Sequence, residues 1–254
     1  MTAATTRIAM IALWLPKPGS PRSEWEDGCA FSPGTGRFAV ADGASTGSHS
    51  REWAYTLVER WIATEVEVWL GGDDPDALVG ERFARWLDDV RSSFDPDAAE
   101  FRRSNAPEWV QSLARGRGSH ATFLGGHVDT ERVTVVGVGD CCMFHVDRTG
   151  AVSSFPLSSA AEFGTAPALV ASVPDLARSH PALQRTTRAV GAGDVVYVAS
   201  DAIAAWLIDQ LDQPEVWSAL ARLGPTAFER LHRDLVADRR IRSDDVTLLR
   251  IEVG

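Results

Sequence analysis

The middle of this chain forces the first decision about its fold. Three β-prone runs, 119–128, 132–138 and 142–146, follow one another with no helix between them. Asp129-Thr130-Glu131, Gly139-Asp140 and Asp147-Arg148-Thr149-Gly150 separate and close them as turns, so the stretch reads as a meander, with a shorter run at 151–155 after it. On either side, too, elements come in groups. The N-terminal third reads as a strand at 8–15, a loop, a short apolar strand at 38–41, and helices at 51–70 and 76–94. For the first helix Ser50 is the expected N-cap and Gly71-Gly72 the stop, with Ala54, Leu57, Val58, Trp61, Ile62, Val66 and Trp69 as its apolar stripe. Pro107 opens a further short helix to 114, and 156–181, rich in Ala, Ser and Pro, reads as a surface excursion. A strand at 195–199, helices at 202–211, 214–223 and 225–237, and a last strand at 246–253 complete the chain. Helices grouped between runs of strands exclude a doubly wound parallel sheet. They predict an α+β fold, a sandwich of sheets with helices on its outer faces. No repeat or linker divides the sequence, so residues 1–254 are expected to form a single domain.

Composition narrows the chemistry. Of 25 basic residues 24 are arginine, and the lone lysine, Lys17, lies between Pro16 and Pro18. That excludes a Gly-Lys-Ser/Thr phosphate loop, a kinase strand lysine and a Schiff-base lysine. A formal charge of −10 argues against a nucleic-acid partner, since phosphate contacts need clustered positive charge. Three cysteines, Cys29, Cys141 and Cys142, make neither a disulfide framework nor a C-x-x-C zinc pair, and the adjacent two should point to opposite faces of a strand. The apolar run at 8–15 lacks a small-residue cleavage site and stops at Pro16, so it reads as a strand rather than a signal peptide. No stretch approaches the roughly 18 apolar residues of a membrane span. A cytoplasmic monomer with no membrane partner is the expectation.

Acidic residues recur at the ends of apolar runs. Glu26-Asp27 precede 28–31, Asp42 follows 38–41, Asp140 follows 133–138, Asp201 follows 195–199, and Asp244-Asp245 precede 246–249. Asp is common at strand ends because its side chain supports turn hydrogen bonds. Five such positions point further, to carboxylates converging at one rim of a sheet. Their repulsion is relieved by a divalent cation, and all-oxygen ligation suits Mg²⁺ or Mn²⁺.

These same segments resemble the metal-dependent protein phosphatases of the PP2C type. Arg22-Ser23-Glu24-Trp25-Glu26-Asp27 is similar to the family's opening Arg-x-x-x-Glu-Asp, and 38–43 to its apolar strand ending in Asp-Gly. Gly118-Ser119-His120-Ala121-Thr122 resembles its Gly-Ser-Thr-Ala opening, 136–140 its Val-Gly-Asp turn, 195–201 its run into Ser-Asp-Gly, and Asp244-Asp245-Val246-Thr247 its closing Asp-Asn-x-Thr. The six elements keep their order from 22 to 253. The resemblance implies an αββα sandwich, two packed, mainly antiparallel β-sheets flanked by helices, with two divalent cations, Mn²⁺ or Mg²⁺, at one rim. Asp42 would bridge them, the Gly43 carbonyl would bind one, and Asp201 and Asp244 would hold the first. Glu26 or Asp27 would support the second. Arg22 matches the phosphate-binding arginine, and Asp140 a position associated with a third, weaker metal. The implied reaction is direct hydrolysis of a phosphomonoester by a hydroxide held between the metals. The implied substrate is a phosphoserine or phosphothreonine protein, or a small phosphorylated molecule.

The chain departs from the pattern in places. Ala202 stands where glycine is usual, His120 replaces Thr, Asp245 replaces Asn, and no His directly follows Gly43. His49, nearby in sequence, is more simply a residue at a helix start. Two other readings stay open. Gly43-Ala44-Ser45-Thr46-Gly47 matches the nucleophile elbow G-x-S-x-G, with Ser45 as nucleophile, Asp201 or Asp209 as acid and His232 as base. Alternatively the fold is a binding module whose catalytic site has decayed. The helical tryptophans are expected in the core, and Arg239-Arg240 and Arg242 in a solvated turn.

Overall fold

The computed structural model describes residues 7–44, 49–70, 74–94, 118–164, 166–174 and 183–254. Strand β1 (Ile8–Leu15) lies beside the last strand, β11 (Val246–Val253), which is followed across the sheet by β10 (Val195–Ala199), β6 (Cys142–Val146) and β7 (Val152–Phe155). The second sheet runs β2 (Gly28–Ser32), β3 (Arg37–Gly43), β4 (His120–Val128), β5 (Arg132–Val138) and β9 (Gln184–Ala189), with the two-residue β8 (Val170–Ala171) on β4. Every pairing is antiparallel.

Side-chain alternation builds four layers. Phe38 and Val40 on β3, Val133 and Val135 on β5, Val196 and Val198 on β10 and Leu249, Ile251 and Val253 on β11 fill the space between the sheets. The alternate residues of the second sheet, among them Ala39, Ala41, Phe123, Val136 and Val138, meet α1 (Ser50–Ala63), α2 (Glu67–Leu70) and α3 (Asp76–Ser93). Those of the first, such as Phe144, Tyr197 and Leu248, meet α4 (Asp201–Ile208), α5 (Pro214–Leu220) and α6 (Pro225–Ala237). The architecture is the αββα sandwich expected. Cys141 belongs to the layer between the sheets and Cys142 to the layer under the helices, on opposite faces as strand geometry requires. Trp61 of α1 stands edge-on to Trp69, Trp86 and Phe123 at 5.2–5.6 Å, and its Nε1 donates to the Gly126 carbonyl (3.1 Å). Room for the Trp61 ring comes from Gly125, where a Cβ would stand 2.6 Å from it, while on the opposite face of β4 a Cβ at Gly126 would stand 2.4 Å from the Phe38 ring.

Several expectations are corrected. The helix expected over 51–70 begins at Ser50 and stops at Ala63. Thr64 turns extended (φ −95°, ψ 140°) and Val66 is driven into the core before α2 begins, α2 being held by the Arg37–Glu67 ion pair (Nε to Oε2 2.8 Å). The N-cap is His49, in the left-handed region at φ 66°, while Ser50 Oγ donates to the Ala44 carbonyl (2.6 Å). The meander is split, because after β5 the chain turns at 139–141 and enters the other sheet as β6. The stretch 156–181 is not all surface: it holds a 3₁₀ turn at Ala160–Glu162 and β8, with Val170 buried. Strand β9 was not expected, since Gln-Arg-Thr-Thr-Arg-Ala has no apolar face to announce an edge strand. The helix expected at 107–114 and the Gly71-Gly72 stop lie outside the described residues. No helix among the described residues is long and apolar enough to cross a membrane.

Candidate active site

The register brings the acidic strand ends to one rim. Gly28 at the start of β2 pairs with Ala41 near the end of β3, and Gly43 with Ala121 near the start of β4. Phe123 pairs with Val138 at the end of β5. In the other sheet Ala199 at the end of β10 pairs with Cys142 at the start of β6 and with Leu248 early in β11. Asp27, Asp42, Asp140, Asp201 and Asp244 therefore leave their strands at the same end, and the β5–β6 turn that carries Asp140 bridges the sheets there.

Burial and mutual repulsion dominate the electrostatics. Asp42 is the centre. Its carboxyl is held well above the usual range by desolvation first, then by Asp27, Asp201, Asp140 and Asp244. Asp27, 1% exposed, is pushed up to about 7, chiefly by burial and further by Asp245 and Asp201. Hydroxyl donors oppose this: Thr247 Oγ1 donates to Asp27 Oδ2 (2.7 Å), and Ser200 also bonds the Asp27 carboxylate while accepting from the Thr247 N–H (2.9 Å). Burial and Asp201 lift Asp140 to about 6. Asp201 is raised by desolvation, opposed next by Arg242, and its carboxylate hydrogen bonds to Asp42. Asp140 Oδ1 is buried without a hydrogen-bond partner among the described residues.

The other predicted positions divide. Glu26 turns its side chain outward, 3.7 Å from Lys17 Nζ, so of the Glu26-Asp27 pair it is Asp27 that enters the cluster. Gly43 is buried where a Cβ would meet the Glu26 carbonyl oxygen at 2.8 Å and Ser50 backbone atoms at 3.0 Å, so only glycine lets the end of β3 pass this close to the backbones of Glu26 and Ser50. Arg22 is exposed and lies over the Trp14 ring, 5.0 Å from its centroid, with Trp14 stacked on Trp25 (4.3 Å). The cation that bears on Asp140 and Asp201 is instead Arg242, whose Nη2 donates to Asp201 Oδ2 at 3.0 Å. The expectation of a merely solvated turn at 239–242 is corrected to that extent. Nothing in the local sequence marks Arg242, because its partner lies 41 residues away. Asp245, read only as an added charge, is 4% exposed and accepts from the Lys17 N–H (2.7 Å) and the Glu26 N–H (2.6 Å), tying the 17–26 loop to β11. Ala202 lies in α4 with φ outside the left-handed region, so its methyl leaves the backbone undisturbed.

A nucleophile elbow finds no support here. Residue 45 lies outside the described residues, β3 is antiparallel to both neighbours, and His232 is buried in α6, in the helical layer over the other sheet.

The donor set suits a hard divalent cation: oxygen only, net negative, desolvated, with an unsatisfied buried oxygen at Asp140. Among the described residues no three acidic, His or Cys side chains already form a closed cage for a metal.

Comparison with solved structures places the fold. The chain is similar to PppA, a key regulatory component of T6SS in Pseudomonas aeruginosa (TM-score 0.62, 18% identity, 98% of each chain covered). It is similar to the catalytic domain of the serine threonine protein phosphatase PstP in complex with two manganese ions (TM-score 0.58, 17% identity, 98% of this chain and 99% of that one). The PPM Ser-Thr phosphatase MsPP from Mycobacterium smegmatis, in complex with cacodylate, gives a TM-score of 0.55 at 18% identity over 98% of this chain and 100% of that one. No protein-family model matches the chain, and no curated protein matches it. The fold is that of the PP2C-type phosphatases.

Proposed function

We propose that this protein is a metal-dependent phosphomonoesterase, acting on phosphoserine or phosphothreonine in a protein partner. The observation that carries this is the convergence of Asp27, Asp42, Asp140, Asp201 and Asp244 on one rim, between two sheets whose fold is shared with a phosphatase solved with two manganese ions. Asp42, Asp201 and Asp244 would hold one cation, and Asp42 with Asp27 the other, with the Gly43 carbonyl as a further oxygen and Glu26 and Asp140 at the margin. When bound, Mn²⁺ or Mg²⁺ supplies positive charge to the phosphoryl oxygens and acidity to water.

The chain's own residues set up the rest. Thr247 and Ser200 fix the orientation of the Asp27 carboxylate, and Asp245 fixes the loop that delivers Glu26 and Asp27. Arg22 follows β1, whose Trp14 pairs with Thr247 at this same rim, and on leaving the Trp14 face its planar fork would be the group to take up phosphate oxygens.

The test is hydrolysis of an aryl phosphate and of a phosphopeptide, with Mn²⁺ and with a chelator. We expect activity with Mn²⁺, its loss with chelator and in Asp42→Ala and Asp201→Ala, and its persistence in Ser45→Ala. A folded protein inactive on both substrates at saturating Mn²⁺ would identify a binding module instead. Turnover of the aryl phosphate alone would point to a small phosphorylated substrate.

A further inference from the structure

Arg242 has no part in the reading above, yet the chain fixes its position from both sides. Ile241 before it is sunk into the core under the helices (8% exposed), and the Arg240 N–H donates to the Leu235 carbonyl (2.8 Å). After it, the Asp244 N–H donates back to the Arg242 carbonyl (3.0 Å). The Arg240 guanidinium lies over the Trp206 ring, 5.7 Å from its centroid. The backbone is thus anchored while the Arg242 side chain, 55% exposed, is free to pivot. Its guanidinium reaches Asp201, whose carboxylate is only 14% exposed. Asp201 is also one of the carboxylates proposed to bind a cation. The cluster asks for positive charge on a second count, since Asp140 Oδ1 is buried and unsatisfied among the described residues.

We infer that Arg242 is a built-in counter-cation of this rim: it holds Asp201 when no divalent ion does, and an ion bound by Asp201 has to displace it. The inference rests on the metal-dependent reading of the site. A guanidinium directed at Asp201 Oδ2 takes up a lone pair that ligation needs, and its charge repels an incoming cation at close range. Two opposite effects follow from one side chain. Arg242 steadies the metal-free fold by offsetting carboxylate repulsion, and it lowers the affinity for the metal.

The experiment pairs Mn²⁺ titration by calorimetry with thermal melting in chelator, for the wild type, Arg242→Gln and Arg242→Lys. We expect Arg242→Gln to bind Mn²⁺ about tenfold more tightly, a coupling of common size, while melting at a lower temperature in chelator. Arg242→Lys, which keeps the charge, should bind Mn²⁺ within about threefold of the wild type, being a weaker match to a carboxylate. A side chain with a merely structural role would lower both quantities in Arg242→Gln. Mn²⁺ affinity that is unchanged or weaker in Arg242→Gln overturns the inference and leaves the metal site standing. A wild type that binds no Mn²⁺ overturns the metal-dependent reading, and this inference with it. If Arg242→Gln folds only when Mn²⁺ is present, that dependence is itself the expected result in stronger form.

Discussion

Asp42 is where the repulsion converges, since four other aspartates act on it at once. Replacing it removes the charge at the centre while nearly preserving shape. Asp42→Asn is therefore expected to melt higher than the wild type in chelator at alkaline pH, where the wild-type carboxyl is driven to ionise against its neighbours, by about 2–4 °C for each kcal/mol relieved. The same variant should lose phosphatase activity at least about 100-fold, because even the outer-shell partners of metal ligands cost 10–100-fold when removed. Melting curves and initial rates on one preparation check both. Stability rising as activity falls marks a functional site, whereas a structural aspartate would lose both. Asp245 carries the contrary expectation. Both its oxygens are taken by backbone N–H groups, and an amide in their place would set an NH₂ against one of them. Asp245→Asn should cost about 1–3 kcal/mol, read by denaturant unfolding, with no gain in chelator.

At the scale of elements, α1 is packed on β4 through Trp61, which Gly125 makes room for and the Gly126 carbonyl accepts from. Trp61→Ala should destabilise by about 3–5 kcal/mol, measured by urea unfolding, and the loss should be the same with and without Mn²⁺. Elements with strong apolar periodicity could be read directly from the chain. Helix α6 and strands β1, β10 and β11 fall at the expected residues, and α3 ends one residue early. Others left no local mark. Strand β9 is polar on both faces because it lies at an edge, and the break after Ala63 comes from Val66 turning into the core, a tertiary effect. The split meander was equally hidden: turn chemistry at 139–141 shows that the chain turns, not which sheet it joins. The acidic rim was legible because each carboxylate abuts an apolar run. Arg242 and the loop-tying role of Asp245 were not, since both depend on partners far away in sequence.

For the whole molecule, buried carboxylates shape the pH dependence of the metal-free state. Asp27 at about 7 and Asp140 at about 6 are raised above their unfolded values, as are Asp42 and Asp201. A raised acid favours the folded state below its unfolded pKa, and that favour is lost as pH climbs through the folded value. In chelator the melting temperature should therefore fall between pH 5 and pH 8, by at least about 5 °C if a few kcal/mol are involved. Saturating Mn²⁺ should flatten that slope, stabilising most at pH 8. Differential scanning calorimetry across pH decides it, and a chelated protein that melts highest at pH 8 would contradict the account.

The back-to-back thiols of Cys141 and Cys142 follow the same layered plan to a different end. Both are fully enclosed, one between the sheets and the other beneath α4 and its neighbours, and burial pushes both up, Cys142 to about 12. Neither thiolate can meet an alkylating reagent until its own layer opens. In a Cys29→Ser background, the two labelling rates under native conditions become separate clocks one residue apart. Equal rates mean that the sandwich comes apart as a unit. A faster Cys142 means that the outer helices lift while the sheets remain closed.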